Sequence, residues 1–436
     1  MCLKRIKLTV AALLLSACGA SAAGEARFVP LDTLFDTGIR HSLLLEADRI
    51  GQQMAAARRE SAQSQRLPEL SVGLNAGVIG QPVVFRRGLS QPTRPDAPDW
   101  SQNYAIDLRQ PLYEGGRIRH AIEKAEIEES IRALQTAGDK ASLKMTLLSH
   151  YLDLFCLYKQ RVVLVRNIVE SEKRLTDIRR LKEEGVITNN DVLRSEMQLT
   201  DSRLALTQTE NGIRLASQQL DILLGWDEST LILPDTTLVE REYPLEACDA
   251  YVNRAEDADL TLLRLRRQTE LARNNLQSVK AENLPSLSLY ASNTLARPIS
   301  RTLDDLYNNN WNVGLSFSYP LSGLYRNRGK LTEARHNIEL SRNAEEQHLQ
   351  TLRMDISRAY TRHREALERV EALRLSVRQA EENYRIMQNR YLSQLAILTD
   401  LLDADNLRLN AELQLATARA EAVYHYYELL NATGQL

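Results

Sequence analysis

Glycine and proline are scarce, 18 and 12 among 436 residues, so most of the chain holds nothing that breaks a helix. Long uninterrupted elements are expected. Beyond the N-terminal leader no continuous apolar run reaches the roughly 20 residues that a membrane-spanning helix needs. Any membrane crossing therefore falls to strands. An excess of one charge is also missing: 55 Lys and Arg stand against 57 Asp and Glu, which disfavours both a disordered polyelectrolyte and a nucleic-acid-binding surface. The seven histidines, at 41, 120, 150, 336, 348, 363 and 425, are never closer than twelve residues apart, so no short-range metal pair exists. There is no Gly-rich phosphate loop, nucleophile elbow or paired-cysteine motif. Neither an enzyme nor a bound cofactor or metal is expected. Of the four cysteines, Cys2 and Cys18 lie in or beside the leader, leaving Cys156 and Cys248. An oxidising compartment permits a disulfide between these two; free thiols are the alternative.

What is present begins with an export signal. Lys4, Arg5 and Lys7 precede the largely apolar run Leu8 to Leu15, and small residues follow. Leu15-Ser16-Ala17-Cys18 has the form of a bacterial lipobox, which would end the leader at residue 17 and place a lipid on Cys18. Ala20-Ser21-Ala22 has the form of an ordinary cleavage site, which would end it at 22.

The rest of the chain is a tandem repeat, the feature that most constrains a fold. "QPLYEGGRIRHAIEKA", ending at Ala125, matches "YPLSGLYRNRGKLTEA", ending at Ala334, an offset of 209. Tyr151 and Tyr360, and Asp191 and Asp400, stand at the same offset. The earlier pair "RLPELSV" and "NLPSLSL" is offset by 217, so the first copy carries eight extra residues in the Pro- and Gly-rich stretch after residue 78, which reads as a loop. The copies span 31–225 and 250–436, joined by an irregular connector over 226–249.

Each copy opens with a helical segment, 31–64 or 250–282, and leads into alternating stretches over 67–115 or 284–322. Leu70, Val72 and Leu74 are apolar against Ser71, Gly73 and Asn75; Val313, Leu315 and Phe317 are apolar against Gly314 and Ser316. That period of two predicts two strand hairpins, each with one greasy face. A half-buried soluble sheet would alternate in the same way. The stretches, however, have about the 9–11 residues that cross a bilayer at a tilt, and Trp100, Tyr104, Tyr113, Trp311 and Tyr319 fall near strand ends, where interfacial girdles lie. Four strands are too few to close a barrel, and an open edge is not tolerated in lipid, so the chain is expected to associate.

Beyond each strand pair the pattern turns helical. From Arg117 to Glu184 no proline occurs and Gly138 is the only glycine; such a helix would reach about 100 Å. The helices turn back at tips near 185–191 and 394–400. Mixed charges along them fit a solvated coiled coil.

The tandem copies, the Leu-Pro strand openings at 67–68 and 284–285, the Pro-Leu exits at 111–112 and 320–321, and the tips "GVITNNDVL" and "LAILTDLLDA" resemble the TolC-type outer-membrane efflux proteins, the outer membrane factors. The resemblance spans essentially the mature chain. It implies a mixed α/β membrane protein: a homotrimer in which twelve strands, four per chain, close one outer-membrane β-barrel, continued by a helical coiled-coil barrel in the periplasm. It implies a passive exit duct for small molecules or proteins, docked to a periplasmic adaptor and an inner-membrane pump. Leu70, Val72, Leu74, Val313, Leu315 and Phe317 would then face lipid. A periplasmic adaptor or a structural envelope coiled coil is the competing reading; an adaptor, however, has one hairpin flanking small β domains.

By the same resemblance Asp400 and Asp403 occupy positions that ring the periplasmic constriction. From the residues alone Thr399 reads as an N-cap, with acids favoured in the first turn. Asp405 matches no constriction position, and a solvated helix face suffices for it. Asp191, the counterpart of Asp400, is expected to accept a closing hydrogen bond from Tyr391. Ala396 stands where some members carry an arginine of the closing network.

Overall fold

The structure, a computed structural model, describes residues 26–94, 98–298 and 304–436. The leader and the lipidation site proposed at Cys18 lie outside the described residues. In chain order the elements open with β1 (Ala26–Val29), α1 (Leu31–His41), α2 (Leu43–Ser64), β2 (Glu69–Val78), β3 (Val84–Arg87), β4 (Ser90–Thr93) and β5 (Trp100–Tyr113). Then follow α3 (Arg117–Glu183), α4 (Asn189–Leu224), β6 (Leu231–Pro234), α5 (Cys248–Ala258) and α6 (Leu260–Ala281). The chain ends with β7 (Ser286–Arg297), β8 (Asn308–Ser318), α7 (Gly323–Arg326), α8 (Arg328–Leu392) and α9 (Leu398–Ala432). The expected long helices are present: α3 has 67 residues and α8 has 65.

Two compact units emerge. One holds Asp139–Ala258, Leu352–Leu436 and the residues up to Glu46; the other holds Ala47–Gly138 and Asp259–Thr351. The core of the first is apolar and closed, with Leu34, Leu147, Leu154, Leu220, Leu224 and Ile232 fully buried. Each such side chain contributes roughly 1.5–3 kcal/mol by leaving water. The connector is less irregular than expected. Its β6 pairs in parallel with β1, Ala26 opposite Leu231 and Val29 opposite Pro234. Tyr151 pins this pair, donating from its hydroxyl to the Val29 carbonyl at 2.7 Å and accepting from the Asp235 N–H at 2.6 Å. Cys156 and Cys248 are free thiols.

One group in this core is poorly matched to its surroundings. Asp221 is fully buried, and neither of its carboxylate oxygens has a hydrogen-bond partner. Burial, reinforced by the charges of Asp227 and Glu228, pushes its pKa from the usual 3.8 up to about 6. Below the unfolded value both states are protonated and no cost arises. As pH rises from about 4 to about 6, the unfolded chain ionises first and native stability is lost. Asp221→Asn is therefore expected to raise the midpoint of thermal unfolding at pH 7.5 and to leave it unchanged at pH 3.5; a gain of equal size at both pH values contradicts this.

In the second unit four strands form one antiparallel sheet in the order β2-β5-β7-β8. The two predicted hairpins are present, and β5 pairing with β7 joins them. Register carries the alternation across all four strands: Val72 lies opposite Ile106, Leu74 opposite Tyr104, Tyr104 opposite Leu295, Leu289 opposite Leu315, Leu287 opposite Phe317. On the other face Ser71, Asp107, Ser292 and Asn312 form one row, and Gly73, Ala105, Thr294 and Asn310 another. Directly paired residues share a face, so the sheet has one apolar and one polar side. The apolar side is uncovered: Val72 is 78 % exposed and Phe317 69 %, and Leu70, Leu74, Val313 and Leu315 are exposed as well. Each hairpin contributes one outermost strand, and β2 and β8 have no further strand beside them among the described residues. The loop expected after residue 78 contains a small hairpin of its own, β3 on β4, turned at Gly88 with φ +51°. The opening helix of the first copy is broken at Ser42, whose extended backbone and hydroxyl, accepting from the Leu45 N–H, start α2 afresh.

Candidate functional site

The tips of the two long helical hairpins lie in the first unit and are built alike. After α3, Gly185 takes φ +74°, its N–H donates to the Lys182 carbonyl, and Val186 N–H donates to that of Leu181. After α8, Gln394 takes φ +59°, donating to Tyr391, while Leu395 donates to Arg390. Glycine adopts this left-handed turn freely; glutamine holds it at a cost of order 1 kcal/mol.

The returning helices begin at equivalent positions. Thr188 is the N-cap of α4, and the Asp191 carboxylate reaches back to accept from the Thr188 N–H at 3.1 Å and hydroxyl at 2.8 Å. In the second copy Ile397 stands at the cap and offers no hydroxyl; only the Asp400 carboxylate reaches back, to the Ile397 N–H at 3.4 Å. Thr399 is thus not the N-cap. It lies inside the first turn of α9, and its hydroxyl accepts from Arg194 Nη1 at 2.7 Å, tying one tip to the other. Asp403 is exposed, with no hydrogen-bond or ion-pair partner among the described residues. Asp400 and Asp403 thus lie together in the first turns of α9, and both are exposed.

The expected bond between Asp191 and Tyr391 is not made within this chain. Asp191 is engaged in capping, whereas the Tyr391 hydroxyl is buried without a partner. Tyr391 sits in an apolar cluster with Leu175, Ile178, Val192, Leu199, Leu398 and Leu401. Burial, aided by the Asp191 charge, raises its pKa.

Asp405 departs furthest from expectation. It is 3 % exposed rather than solvated. Its Oδ2 accepts from Arg174 Nη2 at 2.7 Å and Asn167 Nδ2 at 3.2 Å; its Oδ1 accepts from Arg408 Nη2 at 2.8 Å. Arg408 also donates to Glu170 and lies 4.0 Å from the centroid of the Tyr384 ring. Arg174 further donates to the Ser171 hydroxyl at 2.8 Å and the Tyr384 hydroxyl at 3.3 Å. Two cations and two carboxylates balance, which is what allows charge in a dry interior. The network joins α3, α8 and α9. Two sequence signals point to it. Asp405 continues the apolar stripe of Leu398 and Leu401 at helical spacing, where a free charge is out of place. The tandem pattern also breaks at its two arginines, with Asn383 and Leu199 at the counterparts of Arg174 and Arg408, while an acid, Glu196, stands at that of Asp405.

The known family described as Outer membrane efflux protein matches residues 38–226 and 251–435. The chain belongs to this outer membrane efflux protein family. The family is one of transport proteins of the outer membrane, not of enzymes. Among curated proteins the chain is similar to the outer membrane efflux protein BepC of Brucella suis biovar 1, at 22 % identity over 76 % of this chain and 72 % of that one. It is 26 % identical to the outer membrane protein TolC of Escherichia coli over 58 % of this chain and 53 % of TolC. Among solved structures, the outer membrane protein VceC of Vibrio cholerae superposes with a TM-score of 0.76 at 20 % identity, covering 93 % of this chain and 96 % of VceC. The Neisseria gonorrhoeae MtrE outer membrane channel, in its open state, gives 0.73 at 17 % identity over 93 % and 88 %. The fold of this efflux protein is therefore that of the TolC-like channels.

Proposed function

We propose that three copies of this chain join their sheets edge to edge into one barrel of twelve strands in the outer membrane. The helical part would form a periplasmic tunnel. The duct is passive: an inner-membrane pump supplies the energy and a periplasmic adaptor connects the two, so that drugs, other small molecules or proteins leave the cell. The observation behind it is the sheet itself, whose largely apolar face is exposed along β2 and β8, with the outer edges of these two strands unpaired among the described residues. In lipid such edges must find partners, and further copies of the same sheet supply them. The six residues Leu70, Val72, Leu74, Val313, Leu315 and Phe317 then contact lipid.

Asp400 and Asp403 of each copy would surround the periplasmic mouth. Holding the mouth closed falls to the Arg174–Asp405–Arg408 network and the Arg194–Thr399 bridge in place of an Asp191–Tyr391 bond, because both tie the two hairpins of one chain together. A carboxylate ring concentrates cations and binds multivalent ones. The assembled protein in a planar bilayer is expected to conduct weakly, prefer cations and be blocked from the tunnel side by hexamminecobalt. Asp400→Asn with Asp403→Asn keeps the shape and most of the capping while deleting the charge. It is expected to abolish that block and to leave thermal stability nearly unchanged. Persisting block with a destabilised protein would reduce both residues to helix caps.

A further inference from the structure

A cavity of about 550 Å³ opens where the sheet meets the helices of its unit. Its walls come from residues 111–120, which join β5 to α3, from residues 277–284, which join α6 to β7, and from Arg66 after α2. Three cations face it: Arg66, Lys280 and Arg119. Arg66 and Lys280 are exposed and have no side-chain partner among the described residues. Arg119 has only long contacts, 3.6 Å to Glu123 and 3.5 Å to His120.

The first turn of α3 adds donors. Arg117 N–H donates to the Glu114 carbonyl and His120 N–H to that of Gly116, whereas the Ile118 and Arg119 N–H groups have no backbone acceptor. Gly115, at φ +64°, lets the turn seat closely: a Cβ there would lie 2.8 Å from the Leu284 Cβ and 2.9 Å from the Ala281 carbonyl oxygen. The one carboxylate in the lining, Glu114, is engaged by Arg117 and, at 3.8 Å, by Arg109. Part of the lining is apolar and adjoins the apolar face of the sheet. Tyr113 pairs with Leu287, which pairs with Phe317, so Tyr113 stands on that face; Leu112 and Leu284 are exposed beside it.

We infer that this cavity binds the phosphate headgroup of an anionic glycerophospholipid. The inference rests on the outer-membrane reading, which puts acyl chains on the apolar face and a headgroup at the level of Tyr113. Charge-assisted bonds from three cations and the amides of a helix N-terminus suit a phosphate. No free carboxylate is present to hold the amine of a zwitterionic lipid, which selects for net negative headgroups.

The test uses the full-length protein in detergent micelles, with native mass spectrometry of bound phosphatidylglycerol and of phosphatidylcholine with the same acyl chains. Wild type is expected to retain phosphatidylglycerol at least about tenfold better. Arg66→Gln with Lys280→Gln should remove that preference, whereas Arg66→Lys with Lys280→Arg should keep it, as should Lys124→Gln with Arg273→Gln outside the cavity. Equal retention of the two lipids by wild type overturns the inference, and needs no variant to fold. Displacement of phosphatidylglycerol by millimolar glycerol phosphate would make it a site for free phosphate and also overturn it. Protein recovered from the outer-membrane fraction without lipid preference refutes the site alone; absence from that fraction refutes the outer-membrane reading.

Discussion

Leu315→Arg is expected to abolish most of the assembled oligomer, and Ser316→Arg to leave it largely intact, although the two positions are adjacent. Leu315 lies opposite Leu289 on the apolar face, and Ser316 lies opposite Ser288 on the polar one. An arginine facing lipid near mid-bilayer costs roughly 2–4 kcal/mol, and in a closed oligomer the penalty is incurred once per copy. On the polar face the guanidinium remains in water. The readout is the fraction of chain recovered from the outer membrane as an oligomer that survives detergent without heating. Equal loss for both variants would show that the two faces do not differ in environment.

Asp405→Ala is expected to be the most destabilising single change in the helical hairpins. It strands Arg174, 9 % exposed, with only hydroxyl partners, and leaves Arg408 with Glu170 as its one carboxylate. Removing one partner of a buried pair costs about 3–5 kcal/mol. Replacing the pair together, Arg174→Met with Asp405→Leu, deletes both charges, leaves the Arg408–Glu170 pair in place and should recover most of the loss. Loss of helical circular dichroism on heating measures both. If the double variant unfolds as early as Asp405→Ala, the cost comes from packing and not from an orphaned charge.

Much of this architecture was legible in the sequence because it was written twice at a constant offset. Strand faces followed from a period of two, and the long helices from the near absence of Gly and Pro between Arg117 and Glu183. What was not legible depends on tertiary pairing. Nothing local announces that β1 will pair with β6 across some 200 residues, or that a Pro-rich loop will hold Val84 against Thr93. At the start of α9 residue type misleads: threonine caps helices well, which favours Thr399. The repeat offset from Thr188 points instead to Ile397, which is where the helix begins. Asp405 looks like a surface residue because charge is rarely buried unless paired. Its arginine partners lie one turn ahead on the same helix and more than 200 residues earlier, and only the second is beyond local patterns. Within one chain Asp191 bonds to Thr188 through Oδ2, and the Tyr391 hydroxyl is buried without a partner, a pairing that local sequence does not reveal.

On the proposed reading this chain completes a membrane barrel only by joining copies of itself. Electrophoresis of the outer-membrane fraction in detergent, with and without boiling, tests it directly. The unboiled sample should migrate with the mass of about three 49.5 kDa chains and the boiled sample with that of one. A single-chain band in both lanes, with the protein recovered from the soluble periplasmic fraction, would contradict the account.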